Sequence, residues 1–140
     1  MDNYKKGEKY FRKGKHKKAF NYYLSAANEG NNAAVFDVAT MYWKGWGVEK
    51  DYRKAIEYFK KLSDTGSAHA TFVIGEILAS IDVSEAITYY EKAVQLGNEA
   101  AKERLYEIFE KQLEERFILE IKTKLEILKS VDRLENNDKH

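Results

Sequence analysis

Histidine and cysteine are the side chains that most often bind transition metals, and this chain of 140 residues has three histidines and no cysteine. The histidines are His16, His69 and His140, and no two of them stand at the spacing that places two ligands on one helical face. The absence of cysteine also excludes disulfides, thiolate zinc sites and cysteine nucleophiles. The sequence therefore predicts neither a metal site nor a cofactor.

Two other patterns contain residue types that are common in active sites. Gly45-Trp46-Gly47-Val48 is rich in glycine, but no strand precedes it and it lacks the Lys-Ser/Thr pair of a phosphate-binding loop. We interpret it as a loop between helices, where glycine permits positive φ. A row of acidic residues at helical spacing, typical of a solvated face, consists of Glu103, Glu107, Glu110 and Glu114. No nucleophile, base and orienting residue stand together, so no enzyme activity is expected.

Charge is nearly balanced over the whole chain, with 24 basic and 23 acidic residues. Residues 1–20 are an exception, because they contain eight basic and two acidic side chains interleaved with Tyr4, Tyr10 and Phe11. This interleaving suggests nucleic-acid binding, but no basic stripe continues along the chain. A polar outer face on the terminal helix of a repeat stack explains it better. Nucleic-acid binding is therefore the weakest of the hypotheses.

Targeting and membrane signals are absent from the sequence. The N-terminal stretch lacks the apolar run of a secretion signal. No segment approaches the roughly 20 apolar residues of a membrane span. A cytoplasmic protein with no membrane partner is expected.

A pattern of nine residues occurs three times, at 18–26, 54–62 and 85–93. Each copy has Ala followed by two aromatic residues at +3 and +4, a small or apolar residue at +7, Gly at +11 and Ala at +15. The first four positions lie on one face of a helix, and the Gly can adopt the left-handed conformation that ends it. The chain also has no proline, which is compatible with helices joined by short turns. The repeats predict an all-α fold built from helical hairpins.

Residues 34–70 carry the most specific form of the repeat. They contain Val38-Ala39-x-x-Tyr42, Gly45-x-Gly47-Val48, Asp51, Lys54-Ala55, Tyr58-Phe59, Gly66 and Ala70. This segment resembles a SEL-one-like repeat, a family of tetratricopeptide-like hairpins that act as scaffolds for protein assembly. The resemblance implies a right-handed α-solenoid of about three hairpins over residues 1–110, with repeats at about 4–33, 34–69 and 70–100. Small residues at Gly7, Ala39 and Gly75 are expected to allow close helix packing.

Residues 100–134 contain neither Gly nor Pro and are expected to form a C-terminal helical cap or an oligomerisation segment. One straight helix cannot keep both of its apolar stripes on one face, so either the helix bends or breaks at 111–116 or its second half faces something different. The second half either folds back over the stack, self-associates as a homodimer or binds another partner. Residues 135–140 are expected to be a disordered tail. The candidates for self-association are Phe117, Ile118, Ile121, Leu125, Leu128 and Val131.

The resemblance also implies a binding surface, because the first helix of each tetratricopeptide hairpin lines a concave groove. We expect this groove to bind a peptide or helix of another protein, as in an adaptor, scaffold or regulatory inhibitor. Lysines border its N-terminal end and glutamates its C-terminal end. A structural homo-oligomer is the alternative. The predicted binding residues are Tyr4, Phe11, Arg12, Phe36, Thr40, Trp43, Lys44, Phe72, Glu76, Glu103, Glu107 and Glu110.

Overall fold

Seven α-helices follow one another in a computed structural model that describes residues 1–139. No strand occurs within these residues. The helices are α1 (Asn3–Arg12), α2 (His16–Asn28), α3 (Asn32–Lys44), α4 (Tyr52–Ser63), α5 (Ala68–Leu78), α6 (Val83–Gln95) and α7 (Glu99–Asp138). The chain divides into two units, Met1–Lys102 and Glu103–His140. The predicted all-α fold is confirmed.

Side-chain caps fix where several helices begin. The Asn31 carboxamide oxygen accepts a hydrogen bond from the Ala34 amide at 2.9 Å, and the Asp51 carboxylate accepts one from the Lys54 amide at 3.0 Å. Ser67 and Asp82 cap α5 and α6 in the same way. Each cap satisfies one of the backbone N–H groups that the first turn of a helix leaves without a partner. The caps therefore set where the connections before these helices end.

The first unit is a stack of three helical hairpins, α1–α2, α3–α4 and α5–α6. From α1 to α6, each helix packs against the next one in the chain. The alanines at the second position of each nine-residue segment, Ala19, Ala55 and Ala86, are completely buried. Because alanine is small, it lets the neighbouring backbone approach closely at these positions. This order of packing is that of an α-solenoid.

The two aromatic residues of each repeat have different roles. The second of each pair, at Tyr23, Phe59 and Tyr90, is buried in the core. The first of each pair is half-buried. Two of these stack on a tyrosine of the preceding helix, since Tyr22 lies 5.4 Å from Tyr10 and Tyr58 lies 5.9 Å from Tyr42 between ring centroids. Only the second aromatic residue therefore belongs fully to the core.

Glycine allows the buried tyrosines of the first and third hairpins to fit. A Cβ atom on Gly7 would lie 2.6 Å from the Tyr23 ring, and one on Gly75 would lie 2.7 Å from the Tyr90 ring. Both distances are far below van der Waals contact. The expectation that small residues permit close packing is thus confirmed at Gly7 and Gly75, and the reason is the space that each ring needs.

The second unit consists of the larger part of α7. The helix continues without a break from Glu99 to Asp138, so the alternative in which it breaks at 111–116 is wrong. Its apolar side chains from Leu113 to Leu134 are exposed. An exposed face has no need to stay on one side of a straight helix, which removes the reason for a break. The helix also includes residues 135–138 of the expected disordered tail, and His140 lies outside the described residues.

Candidate functional site

The predicted binding residues of the first unit lie on α1, α3 and α5, the first helices of the three hairpins. Their side chains are half-buried, except that Arg12 and Lys44 are exposed. We call the five aromatic members of this set the aromatic face: Tyr4, Phe11, Phe36, Trp43 and Phe72. These side chains lie at the boundary between core and solvent.

Each ring of the aromatic face is held by a ring of the core. The Phe36 centroid lies 5.3 Å from that of Phe59 in an edge-to-face arrangement, and Trp43 contacts the same ring at 6.5 Å. Phe72 lies 5.8 Å from Tyr90. Such contacts fix the orientation of an aromatic side chain and leave its other side accessible. The aromatic face is therefore rigid and partly solvated.

Three polar members of the predicted set are held by their own surroundings. The Thr40 hydroxyl donates to the Phe36 carbonyl at 2.9 Å. The Glu76 carboxylate accepts a hydrogen bond of 2.6 Å from the buried Tyr90 hydroxyl. The Lys44 ammonium lies 3.9 Å from the centre of the Trp43 ring, in a cation–π contact. These contacts keep each side chain at the edge of the aromatic face.

The remaining predicted binding residues, Glu103, Glu107 and Glu110, lie on α7 in the second unit. All three are exposed, and Glu107 forms an ion pair of 3.0 Å with Arg104. An exposed pair three residues apart on a helix contributes little to stability. These glutamates match the solvated acidic face that their spacing indicates, and they belong to a different unit from the aromatic face.

One cavity opens beside the aromatic face, between α1, α2, α3 and the loop after α3. Its volume is about 170 Å³. We call it the N-terminal cavity. Its walls are the rings of Tyr4, Phe11, Tyr23 and Trp46 together with Met41, and its polar groups are Glu8, Asp37 and Thr40. The cavity brings together Tyr4, Phe11 and Thr40 of the predicted binding set.

Burial and negative charge dominate the electrostatics of the N-terminal cavity. Burial raises the pKa of the Asp37 carboxyl, a hydrogen bond with Tyr4 opposes that rise, and the negative charge of Glu8 adds to it. The pKa of the Tyr4 hydroxyl is raised by burial and then by the charge of Asp37. Burial also raises the pKa of Tyr23, followed by the effect of Asp37. The lysine-rich sequence of α1 had predicted a basic border here, whereas the cavity itself contains two carboxyl groups.

Trp46 and Asp37 are residues of this cavity that the sequence analysis did not identify. Trp46 is positioned by Gly47, which has φ +72° and lies so close to α2 that a Cβ atom would be 2.4 Å from the His16 carbonyl. This contact joins residues far apart in sequence. The only local signal was a tryptophan placed between two glycines in a loop. Nothing in the local sequence around Asp37, which lies in α3, indicated that its carboxyl group would line a cavity.

The described residues 1–139 contain no group of three or more histidine, aspartate or glutamate side chains arranged to hold a metal ion. Over the same residues, none of the helices combines the length and the apolarity that a bilayer span requires.

On α7, the six candidates for self-association are between 42% and 64% exposed. They are Phe117, Ile118, Ile121, Leu125, Leu128 and Val131.

The sequence matches a model of the Sel1 repeat at residues 3–31, 32–67 and 75–98. Chitin synthase regulatory factor 4 of Schizosaccharomyces pombe is 33% identical to the chain over 96 residues, which are 67% of this chain and 15% of that protein. The chain therefore spans a small part of that relative.

Two solved structures are similar in fold. A Sel1 repeat protein from Oxalobacter formigenes has 30% identity and a TM-score of 0.57, with 71% of this chain and 44% of that chain covered. A protective antigen of uropathogenic Escherichia coli with an SLR fold has 24% identity and a TM-score of 0.66, with 78% of this chain and 25% of that chain covered. Three matched repeats in three stacked hairpins place this chain in the Sel1 repeat family.

Proposed function

We propose that this chain is a non-catalytic interaction module that binds an extended or helical segment of another protein along the aromatic face. Sel1 repeat proteins generally mediate protein–protein interactions. The main support for this proposal is that the five side chains of the aromatic face are half-buried and fixed by contacts with core rings. Rigid aromatic side chains supply a large contact area at a small cost in conformational entropy, and they are enriched among residues that dominate binding.

A regulatory role is one form of this function. The similarity to chitin synthase regulatory factor 4 supports it, over the 15% of that protein that matches. A module that binds and regulates another protein needs no catalytic groups of its own. Adaptor, scaffold and inhibitor roles use the same surface and differ in the partner.

The test of this proposal uses peptides selected from a random library of twelve-residue sequences against the full chain. We expect the double variant Phe36→Ala/Trp43→Ala to weaken binding of a selected peptide at least tenfold, since both rings supply contact area. Fluorescence polarisation gives the affinity, and circular dichroism reports whether the helices persist.

Tyr52→Ala is the matched control, because Tyr52 is an exposed aromatic residue on α4. Its affinity for the same peptide is expected to change less than twofold. Unchanged peptide binding by the double variant, or collapse of its helical signal, would overturn the proposed role of the aromatic face.

Self-association through α7 is a second candidate function. It is favoured by the six exposed apolar residues of that helix, which in the described part of the chain are 42–64% accessible. Soluble proteins seldom leave a long apolar stripe uncovered, and a second copy of the same helix is a covering that requires no other partner. This candidate is compatible with peptide binding by the first unit.

A further inference from the structure

We propose that the N-terminal cavity receives an arginine or lysine side chain of the bound partner. This inference deepens the proposed function and rests on it, because the partner segment on the aromatic face supplies the side chain. The size of the cavity, its charges and its aromatic walls all fit such a side chain.

The size of the cavity fits one side chain. Its volume of about 170 Å³ is below the roughly 300–1,000 Å³ of sites that enclose a whole small molecule. The cavity adjoins Tyr4 and Phe11 of the aromatic face, so a peptide lying on that face passes its mouth. A long side chain of such a peptide is the ligand that matches this space.

The charges of the cavity select a cation. Glu8 and Asp37 both line it, and neither takes part in an ion pair with any of residues 1–139. The nearby Arg12 is exposed, and its Nε contacts the backbone carbonyl of Glu8 at 3.5 Å. Tyr4 is the hydrogen-bonding neighbour that lowers the pKa of Asp37, and a carboxylate has about four acceptor positions. Both carboxylates therefore keep free acceptor positions for an incoming cationic group.

The third hairpin shows a different use of the equivalent carboxylate. Glu76 follows Gly75 as Glu8 follows Gly7, and each glycine makes room for a buried tyrosine. The Tyr90 hydroxyl donates to Glu76 at 2.6 Å, which commits that carboxylate to an internal contact. Because the Glu76 carboxylate already binds the Tyr90 hydroxyl and the Glu8 carboxylate has no such contact within residues 1–139, we expect the cation to bind at the first hairpin.

The aromatic walls stabilise the same kind of ligand. The rings of Phe11 and Trp46 lie 5.8 Å apart, and those of Tyr4 and Tyr23 lie 5.6 Å apart. The face of an aromatic ring attracts a guanidinium or ammonium group, most strongly where water is partly excluded. Arginine combines such stacking with hydrogen bonds to carboxylates, so it fits this cavity well.

The test is an NMR titration of the full-length protein with N-acetyl-arginine methylamide and N-acetyl-lysine methylamide. The chain has two tryptophans, and only Trp46 lines the cavity, so its indole N–H signal reports occupancy and that of Trp43 is the internal reference. We expect the Trp46 signal to shift with saturation while the Trp43 signal stays in place. The neutral analogue N-acetyl-citrulline methylamide is expected to bind at least tenfold more weakly.

The variants Asp37→Asn and Glu8→Gln are each expected to reduce the preference for arginine over citrulline at least threefold, with the helical signal unchanged. Equal binding of arginine and citrulline derivatives would overturn the inference. So would the absence of a saturable shift at Trp46, or equal shifts of both tryptophans. Because the titration uses single amino-acid derivatives, its failure leaves the peptide-binding test of the aromatic face intact, and the two proposals fail separately.

Discussion

Among single residues, Asp37 lies at a position where its negative charge lowers the stability of the folded protein. Burial raises its pKa, so the charged form is less favourable in the folded protein than in the unfolded chain. Between its usual pKa and the raised value, the folded state holds more protons, and the free energy of unfolding falls as pH rises. Groups with a perturbed pKa are frequent at binding and catalytic sites, so this carboxyl group supports a binding role for the cavity.

Asp37→Asn is therefore expected to increase thermal stability at pH 7. The carboxamide oxygen can still accept the hydrogen bond from Tyr4, while the penalty for a buried charge disappears. The gain in melting temperature should shrink as pH falls from 7 to 3, because protonation removes the same penalty from the wild-type protein. Thermal unfolding followed by circular dichroism measures this.

Asp132→Asn is the control for that measurement, since Asp132 is exposed on α7. We expect its melting temperature to stay near that of the wild type. A lower melting temperature of Asp37→Asn at pH 7 would show that the carboxylate stabilises the fold, contrary to the account of its burial.

At the scale of elements, the loop between α3 and α4 forms part of the site through Gly47. The positive φ of this residue and its close approach to the His16 carbonyl both exclude a side chain. Gly14 has a similar φ of +74°, but a Cβ atom there would meet nothing within 4 Å. Alanine substitutions at these two glycines therefore separate two contributions to the loss of folding free energy: the strained backbone conformation alone at Gly14, and that strain plus a steric clash at Gly47.

Gly14→Ala is expected to destabilise the protein by about 1–2 kcal/mol, the cost of a left-handed conformation for a residue with Cβ. Gly47→Ala should cost about 2–5 kcal/mol, because the clash with α2 adds overpacking of about 1–3 kcal/mol to the cost of the left-handed conformation. Urea unfolding measures both values. Equal losses in the two variants would mean that the loop can move away from α2, and the position of Trp46 would then not depend on Gly47.

Local spacing was enough to predict the hairpins, because alanine, aromatic residues and glycine recur at positions that a helix places on one face. It was also enough to find Phe36, Trp43 and Phe72, which do not fit the core pattern. Trp46 was missed, since its place depends on a contact between Gly47 and His16 that local spacing does not encode. The alternative in which α7 breaks at 111–116 was wrong, because it assumed that both apolar stripes must be buried on one side.

At the scale of the whole molecule, the exposed apolar residues of α7 predict self-association. The double variant Ile121→Glu/Leu128→Glu places two charges in the stripe and should convert an oligomer into a monomer. Thr123→Glu is the matched control, because Thr123 is exposed and lies about 160° around the helix from Ile121, given 100° per residue.

Size-exclusion chromatography with light scattering gives the mass of each species. A wild-type protein that is monomeric at 100 μM, or a double variant with the mass of the wild-type oligomer, would exclude self-association through this stripe.

We propose above that partners bind along α1, α3 and α5. Mapping the amide and indole NMR shifts caused by a peptide selected against the full chain tests this binding surface directly. We expect the largest shifts to cluster at Phe11, Phe36, Trp43 and Phe72, with small changes along α2, α4 and α6. Largest shifts along α2, α4 and α6, with the aromatic face unchanged, would show that partners bind elsewhere.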